Sequence, residues 1–490
     1  MEAKENLRGS GILLSISSLP SPYGIGTLGR EAYNFVDLLG DLKQKYWQVL
    51  PVGPTIFGDS PYQPSSGCAG NIYFIDLDKL VDEGLLEKEE ILGYNWGTDE
   101  SEIDYAALHQ NRCKILQKAF ERFDTNAQDF QDFVKKQSEW LEQYALFMTL
   151  KTDNLYKNWS EWSSEYRNPQ TVALEKYQKK NYNTITFWKF CQYKFFEQWE
   201  DLKNYANSKG IYIIGDISFY VGYDSVDVWA ERQLFMMSAN DTPEYVAAAG
   251  PDKYSESGQV WGNPMYDWNA MKEDNFSWWR KRMRVCRELF DIVRIDHFAG
   301  IVKAYAVPYG QDKSLSGKWF KGPGRRLVNV VADDYTSASL LPGVKKLLAK
   351  SGWMGTKVMM FAFDGDPTNE YLPHNYTDSH VVAYIGTHDN ETIVGSFSDK
   401  TDYELAYLYE YLNIENKSQV PNALIRELYH STAELAIVQM QDILELGNEA
   451  RMNYPSTVGH NWRWRMTSKP HRLDNEKIAW IRNIAVVYRR

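Results

Sequence analysis

The residues whose types and spacing best suit chemistry lie in one stretch, residues 291–300, which reads Asp-Ile-Val-Arg-Ile-Asp-His-Phe-Ala-Gly. Its apolar positions predict a buried strand over 291–295 that presents Asp296 at its carboxyl end. Arg294 and Asp296 are two residues apart and so share one face of the strand. Because an unpaired guanidinium is costly to bury, we expect an acid to meet it, and Asp296 is the natural partner.

A carboxylate that an arginine keeps ionised is in the state that a nucleophile needs. A purely structural ion pair at the end of a strand explains the same residues equally well. The positions of the other carboxylates in the sequence are therefore needed to decide between these two interpretations.

Two further groups of carboxylates follow apolar runs in the same way. Asp333 and Asp334 end a run that begins at Val328, and His388-Asp389 follows a run at 381–386. In a barrel of parallel strands, side chains at the carboxyl ends meet on one face. Converging carboxylates suit cleavage of a glycosidic bond, for which retaining enzymes hold a nucleophile and a proton donor about 5–5.5 Å apart. Taken alone, the His-Asp pair is more typical of a structural hydrogen bond.

The elements that must position these groups are short apolar runs ending in Gly, Pro or a carboxylate, with helical patterns between them. Alternating strands and helices predict a parallel sheet, and about eight strands favour a (β/α)8 TIM barrel over an open sheet. The expected strands lie at 12–16, 46–51, 211–216, 291–296, 328–333, 357–361 and 381–386, with a less distinct eighth near 461–464.

Two stretches are longer than ordinary connections between barrel strands. Residues 56–205 carry apolar residues at three- and four-residue spacing, which predicts a largely helical subdomain inserted into one catalytic barrel of residues 1–490. Residues 227–279 are rich in Gly, Pro, Asn and aromatics, a composition typical of a loop-rich substrate-binding segment. The glycines and the proline of 317–327 argue against the helix that a parallel crossover needs there.

The composition argues against several classes of function. The 490 residues include 54 basic and 65 acidic side chains, a formal charge of −11, and no long basic run, so no nucleic-acid partner is expected. No apolar stretch is long enough to span a membrane. The four scattered cysteines indicate reduced thiols in a cytoplasmic protein, and neither cysteines nor histidines have the spacing of metal ligands.

A glycine pattern at 24–29, Gly-Ile-Gly-Thr-Leu-Gly, matches the dinucleotide-binding motif. Seven residues separate it from the preceding predicted strand, where that motif requires a tight turn. A glycine turn before a helix is the better interpretation, and no cofactor is expected.

A colinear series of segments resembles the amylomaltase family, the 4-α-glucanotransferases of the α-amylase clan, over nearly the whole chain. The matching segments are 16–26, 58–63, 215–216, 258–264, 293–298, 361–365, 386–390, 451–455 and 461–465. The resemblance implies a (β/α)8 barrel with inserted subdomains, no metal or organic cofactor, and α-1,4-glucans and maltooligosaccharides as partners.

The resemblance also implies roles for individual residues. Asp296 matches the nucleophile and Asp389 the transition-state stabiliser. The substrate-binding positions are Tyr62, Asp252, Tyr254, Trp261, Asn263, Arg294, Asp364, His388 and Asn461. The family's acid/base glutamate is replaced by Asp333, and one aromatic of the acceptor loop is replaced by Lys253.

We therefore expect a retaining 4-α-glucanotransferase that works by double displacement, with Asp296 attacking and Asp333 as acid and base. Two alternatives stay open at the level of sequence. One is a glucan-binding protein whose catalysis is impaired by the change at Asp333. The other is a hydrolase with an acceptor site that admits water.

Overall fold

The strands organise the molecule into two sheets. The computed structural model describes residues 7–55, 59–251, 256–330, 351–467 and 474–490. The strands in these ranges are β1 (Gly9–Leu13), β2 (Tyr46–Gln48), β3 (Tyr212–Ile217), β4 (Tyr245–Ala249), β5 (Gln259–Pro264), β6 (Ile292–Ile295), β7 (Lys303–Pro308), β8 (Lys318–Lys321), β9 (Gly355–Val358), β10 (Val381–Tyr384) and β11 (Leu435–Gln439).

Seven of the strands in the described ranges form a parallel sheet in the order β6-β3-β2-β1-β11-β10-β9. Every residue of β1, β10 and β11 is buried, as in sheets that are covered on both faces. Continuous burial explains why β10 is an unbroken apolar run in the sequence, whereas β1 reads Gly-Ser-Gly-Ile-Leu and β11 ends in Gln439. The architecture is the (β/α)8 barrel that the sequence predicts.

The α-helices lie between the strands and in the long connections. In the described residues they are α1 (Arg30–Asp41), α2 (Leu77–Asp82), α3 (Lys88–Leu92), α4 (Tyr105–Arg122), α5 (Gln128–Lys136), α6 (Ser138–Asp153), α7 (Ser164–Arg167), α8 (Val172–Lys180), α9 (Tyr182–Ser208), α10 (Val226–Ala230), α11 (Trp268–Glu273), α12 (Ser277–Leu289), α13 (Ala299–Val302), α14 (Arg325–Val330), α15 (Ile393–Ser398), α16 (Ala406–Leu412), α17 (Val420–His430), α18 (Met440–Ile443) and α19 (Asn475–Val487). No helix in these ranges is long and apolar enough to cross a membrane.

Helix α9 connects the helical insertion to the barrel. It packs against α4, α5 and α6, and its Gln192 exchanges two hydrogen bonds with the backbone of Gly70, at 2.8 and 3.0 Å. Further along α9, the indole of Trp199 donates to the carbonyl of Leu289, at the end of α12. Residues 56–205 are thus rich in helix where they are described, and their status as a separate subdomain remains a prediction.

The second sheet was not anticipated. It is antiparallel, in the order β5-β4-β7-β8, with a small apolar core of Val246, Ala248 and Val307. Two of its strands come from the 227–279 segment, which therefore contains more regular structure than a loop-rich composition suggests. The other two strands, β7 and β8, lie in the stretch after β6. A hairpin forms there because it tolerates the glycines that a helix does not.

Two of the expected strands are wrong. Residues 328–330 belong to helix α14, whose arginines are exposed while Leu327 and Val328 are buried, so one-sided burial overrides the β-propensity of valine. Residues 331–333 lie outside the described residues. The expected strand near 461–464 is irregular apart from one bridge between Trp464 and Glu102. Its place in the sheet is taken by β11, which pairs with β1 and β10.

Candidate active site

A buried arginine between two carboxylates lies at the centre of the site. Arg294 on β6 is directly opposite Asp216 on the neighbouring β3, and its Nη1 forms an ion pair with that carboxylate. Its Nη2 donates to Asp296 Oδ1 over 2.9 Å. The predicted pairing of Arg294 with Asp296 is confirmed. The second acid, Asp216, was not assigned, although it ends an expected strand.

The three charges set the protonation states of the site. Burial disfavours the charged form of Asp296, but the charge and hydrogen bond of Arg294, together with the nearby His388 and His297, outweigh that cost, and the pKa of Asp296 lies below its usual range. Burial of Asp216 is complete and outweighs the same arginine, so its pKa is raised to about 6. Asp296 is therefore ionised at neutral pH, and its side chain remains 35% exposed to solvent.

An aromatic stack covers one side of this network. The rings of Tyr62 and His388 are stacked with centroids 4.8 Å apart, and Trp462 packs against both of them. The Tyr62 hydroxyl donates to Asp216 Oδ2 over 2.8 Å and lies 3.3 Å from His388 Nδ1. Tyr62 thus joins the strand carboxylates to the loop that follows β10.

That loop carries the second exposed carboxylate of the site. Asp389 Oδ2 lies 3.3 Å from His388 Nε2, and Asp389 Oδ1 accepts a 2.6 Å hydrogen bond from the side-chain amide of Asn453. The side chain of Asp389 is 49% exposed, whereas that of His388 is buried. Asp296 and Asp389 are therefore two partly exposed carboxylates at the two ends of one connected network of side chains.

Two predicted acceptor-side residues, Trp261 and Asn263, lie on strand β5. Trp261 packs edge-on against the ring of His297, the neighbour of Asp296, with centroids 4.9 Å apart. Gln63 holds the backbone of Trp261 through a 2.5 Å hydrogen bond to its carbonyl. Asn263 is buried, and its amide donates to the carbonyl of Val221, so this side chain supports the loop.

The remaining predicted residues are not joined to this network by the contacts that the structure records. Asp364 accepts bonds from Asp366 and Asn369 within its own loop, after β9. Asn461 is buried and bonds the backbones of Tyr454 and Thr457. Asp252, Tyr254 and Asp333 lie outside the described residues, so their predicted roles are not tested.

Three residues of the network were not predicted individually: Asp216, Asn453 and Trp462. Each lies within a segment on which the family resemblance rests, at 215–216, 451–455 and 461–465. Asp216 could have been found because a carboxylate at the end of a buried strand faces the barrel mouth. The pairing of Asn453 with Asp389 joins residues far apart in the chain, and no local pattern signals it.

Nothing in the described ranges forms a group of three or more His, Cys, Asp or Glu able to hold a metal. Asp296 is ionised and partly exposed, Asp389 is a second exposed carboxylate of the same network, and Tyr62 is an aromatic ring of the kind that stacks on sugars.

Comparison with known proteins is consistent across sequence and structure. The sequence pattern of the family described as 4-alpha-glucanotransferase matches residues 14–470. The 4-alpha-glucanotransferase of Clostridium butyricum is 41% identical, covering 97% of this chain and 100% of its own. That of Streptococcus pneumoniae strain TIGR4 is 42% identical, covering 94% and 93%.

Among solved structures, an amylomaltase from Streptococcus agalactiae in complex with acarbose superposes with a TM-score of 0.94. It is 37% identical and covers 99% of both chains. The amylomaltase of Corynebacterium glutamicum gives a TM-score of 0.79 at 17% identity, covering 98% of this chain and 75% of its own. This second likeness shows the fold alone.

Proposed function

The chain belongs to the 4-α-glucanotransferase family, and from that premise we propose that it moves α-1,4-glucan segments by a retaining double displacement centred on Asp296. The observation that supports this assignment is the ionised, accessible carboxylate of Asp296, held through Oδ1 by Arg294. Because Arg294 occupies Oδ1, Oδ2 is the oxygen available for attack.

In the first step, Asp296 Oδ2 forms a bond to the anomeric carbon of the donor as the glycosidic carbon–oxygen bond breaks. The proposed acid, Asp333, gives its proton to the leaving glucan oxygen. In the second step, Asp333 takes the proton of an acceptor hydroxyl, which attacks the same carbon and releases Asp296. Each step inverts the anomeric carbon, so the product retains the donor's configuration.

Asp389 is proposed to stabilise the transition state through hydrogen bonds to sugar hydroxyls that strengthen as positive charge develops. His388 and Arg294 support it and the nucleophile through their contacts in the network. Tyr62 is proposed to stack on a donor sugar, and Trp261 to line the acceptor side. The crystallised relative's complex with acarbose supports sugar-like ligands in this fold.

The other proposed binding residues are assigned by resemblance. Asp364 would bind a donor-side sugar, Asn263 and Asn461 would shape loops over the cleft, and Asp252 and Tyr254 would belong to the acceptor loop. Transfer is faster than hydrolysis if these loops exclude water while an acceptor is bound. The proposed substrates are α-1,4-glucans and maltooligosaccharides.

Incubation with maltotriose followed by chain-length analysis tests the reaction. A transferase redistributes maltotriose into longer and shorter sugars, a binding protein leaves it unchanged, and a hydrolase yields net glucose and maltose. No finding favours the impaired-catalysis alternative. If the short side chain of Asp333 nevertheless limits the rate, Asp333→Glu will increase transfer.

Asp296→Asn tests the nucleophile, because the amide keeps the shape and removes the attacking charge. We expect transfer to fall to background while maltooligosaccharide binding persists. Asp129→Asn, on the exposed surface of α5, is the matched control and is expected to transfer normally. Transfer by Asp296→Asn at more than a few per cent of the unmodified rate would rule out Asp296 as the nucleophile.

A further inference from the structure

The loop that carries Asp389 is fastened to a segment near the end of the chain. The guanidinium of Arg451 donates to the backbone carbonyl of Asp389 over 2.7 Å, and the amide of Asn453 donates to the Asp389 carboxylate over 2.6 Å. Two residues further along the same loop, Glu391 accepts a 2.9 Å hydrogen bond from the amide of Asn448. Segment 448–453 thus contacts the loop at three points.

Arg451 fixes both sides of the contact between Asn453 and Asp389. Its Nε donates to the carbonyl of Asn453 over 2.8 Å, while its Nη2 donates to the carbonyl of Asp389. The guanidinium is 14% exposed and lies over the ring of Tyr454, with its carbon 4.4 Å from the ring centroid. One rigid, planar group therefore sets the distance between the two backbones whose side chains meet.

The Asp389 carboxylate needs such support because half of its side chain is exposed. An exposed carboxylate rotates freely unless neighbours hold it, and ordering it at the moment of reaction costs free energy. Here Asn453 binds Oδ1 while His388 lies beside Oδ2, so both oxygens have a defined direction. A side-chain amide also donates without a positive charge, so it orients the carboxylate without forming an ion pair.

We propose that Asn453 is a positioning residue for the transfer reaction: its amide orients the Asp389 carboxylate, and Arg451 sets the separation between them. The inference rests on the proposed role of Asp389 as the transition-state stabiliser. Asn453 acts through Asp389 and is not proposed to contact the sugar. A simple structural tie between two loops would use the same hydrogen bond but would not affect chemistry selectively.

Asn453→Asp tests the proposal, since it keeps the shape and replaces the amide donor with a carboxylate that repels Asp389. We expect kcat for maltotriose transfer at pH 8 to fall about 10- to 100-fold, the scale of a small misplacement of a reacting group. KM should change less than about 2-fold, because the interaction matters chiefly in the transition state. Asn422→Asp on α17 adds the same charge away from the site and is the matched control.

The pH dependence separates positioning from structure. As pH falls, the carboxylate introduced by Asn453→Asp gains a proton and can again donate to Asp389, so the kcat ratio to the unmodified enzyme should rise towards one. Asn453→Leu has no donor at any pH, so its deficit should stay constant. Circular dichroism and thermal unfolding confirm that each protein is folded, and Arg451→Lys replaces Asn453→Asp if the latter is not.

Arg451→Lys keeps a positive charge but loses the planar fork that spans both carbonyls, and it should also lower kcat more than it raises KM. Unchanged kcat in folded Asn453→Asp, or equal deficits for the two Asn453 variants at every pH, would overturn the proposal. Asp389→Asn is measured in parallel. If that change leaves transfer intact, the role proposed for Asp389 fails; if it abolishes transfer while Asn453→Asp is normal, only the positioning role fails.

Discussion

At the scale of single residues, the ring and the hydroxyl of Tyr62 have separable contacts. Its ring stacks on His388, while its hydroxyl donates to Asp216. The other oxygen of Asp216, Oδ1, is buried without a hydrogen-bond partner among the described residues. The hydroxyl therefore contributes to the charge network, and the ring is the part that is proposed to stack on a sugar.

Tyr62→Phe and Tyr62→Leu should separate these contacts. The phenylalanine variant removes a donor from a buried carboxylate and should lower the free energy of unfolding by about 1–3 kcal/mol, with little change in KM. The leucine variant removes the ring as well and should also raise KM for maltotriose. Urea denaturation and steady-state kinetics measure the two effects. An equal KM for both variants would show that the ring does not contact substrate.

The Arg294–Asp296 pair was predictable because both residues lie on one predicted strand, and burial of an arginine requires an acid. Asp216 was harder to assign, since its partner Arg294 is on a neighbouring strand and the local sequence does not determine the pairing register of the two strands. The same limit applies to Asn453 and Asp389. Contacts between distant loops depend on the complete fold, so only the family resemblance pointed to their segments.

At the scale of elements, β3 depends on a close approach at Gly215. A methyl group added there would lie 2.1 Å from the ring of Phe290, at the end of α12. Side chains alternate along a strand, so Gly215 faces the helices while Asp216 faces the opposite side. The glycine therefore lets α12 lie close behind the strand that carries Asp216.

Gly215→Ala should lower the free energy of unfolding by about 1–3 kcal/mol, because overpacking displaces the ring or the strand. Gly40→Ala is the contrasting control: it lies in α1 with no atom within 4 Å of the added methyl. Alanine at that position should be neutral or stabilise the helix by up to about 1 kcal/mol. Thermal unfolding of both variants provides the comparison. A Gly215→Ala protein as stable as the unmodified one would contradict the packing argument.

A buried carboxyl supports the start of α15, the helix after the Asp389 loop. Asp442 Oδ1 accepts a 2.7 Å hydrogen bond from the backbone of Ile393, while Oδ2 is buried without a recorded partner in the described residues. Burial raises the pKa of Asp442 to about 7, against the opposing effect of that hydrogen bond. The folded protein therefore binds this proton more tightly than the unfolded chain does.

Stability should consequently fall as pH rises from about 4, the ordinary aspartate pKa, to about 7, and change no further from this group above that. Asp442→Asn keeps an acceptor for Ile393 and removes the titration. The variant should gain stability relative to the unmodified protein across this window, by roughly 1.4 kcal/mol per pH unit at most. Unfolding in urea at pH 4.5 and pH 8 measures the difference. Parallel pH profiles would show that Asp442 does not titrate in the window.

The elements themselves were only partly predictable. The buried run of β10 was found because continuous apolar sequence marks a covered parallel strand, whereas the expected strand at 12–16 overlaps β1 only at Ile12 and Leu13, and the equally buried β11 was missed. The prediction of a strand at residues 328–330 was wrong because burial of one helical face overrode valine's preference for strands. The antiparallel sheet was missed because its strands are partly exposed and are separated along the chain by parallel elements.

At the scale of the whole molecule, the first and last strands of the parallel sheet are neighbours. β1 pairs with β11 along its full length, from Gly9 opposite Leu435 to Leu13 opposite Gln439. The guanidinium of Arg8 reinforces this pairing by donating to the carbonyls of Ser431 and Ala433, just before β11. The sheet that supports the site therefore depends on segments from both ends of the described chain.

The enclosed Arg294 network has a consequence for ionic strength. The protein carries a formal charge of −11, but a glucan is neutral and gains nothing from long-range attraction. Arg294 is 13% exposed and Asp216 fully buried, so mobile ions screen their interaction weakly even when the Debye length shortens to about 3 Å at 1 M salt. We expect kcat/KM for maltotriose to vary by less than about 2-fold between dilute buffer and molar sodium chloride, whereas a steep decline would show that mobile ions do screen this network.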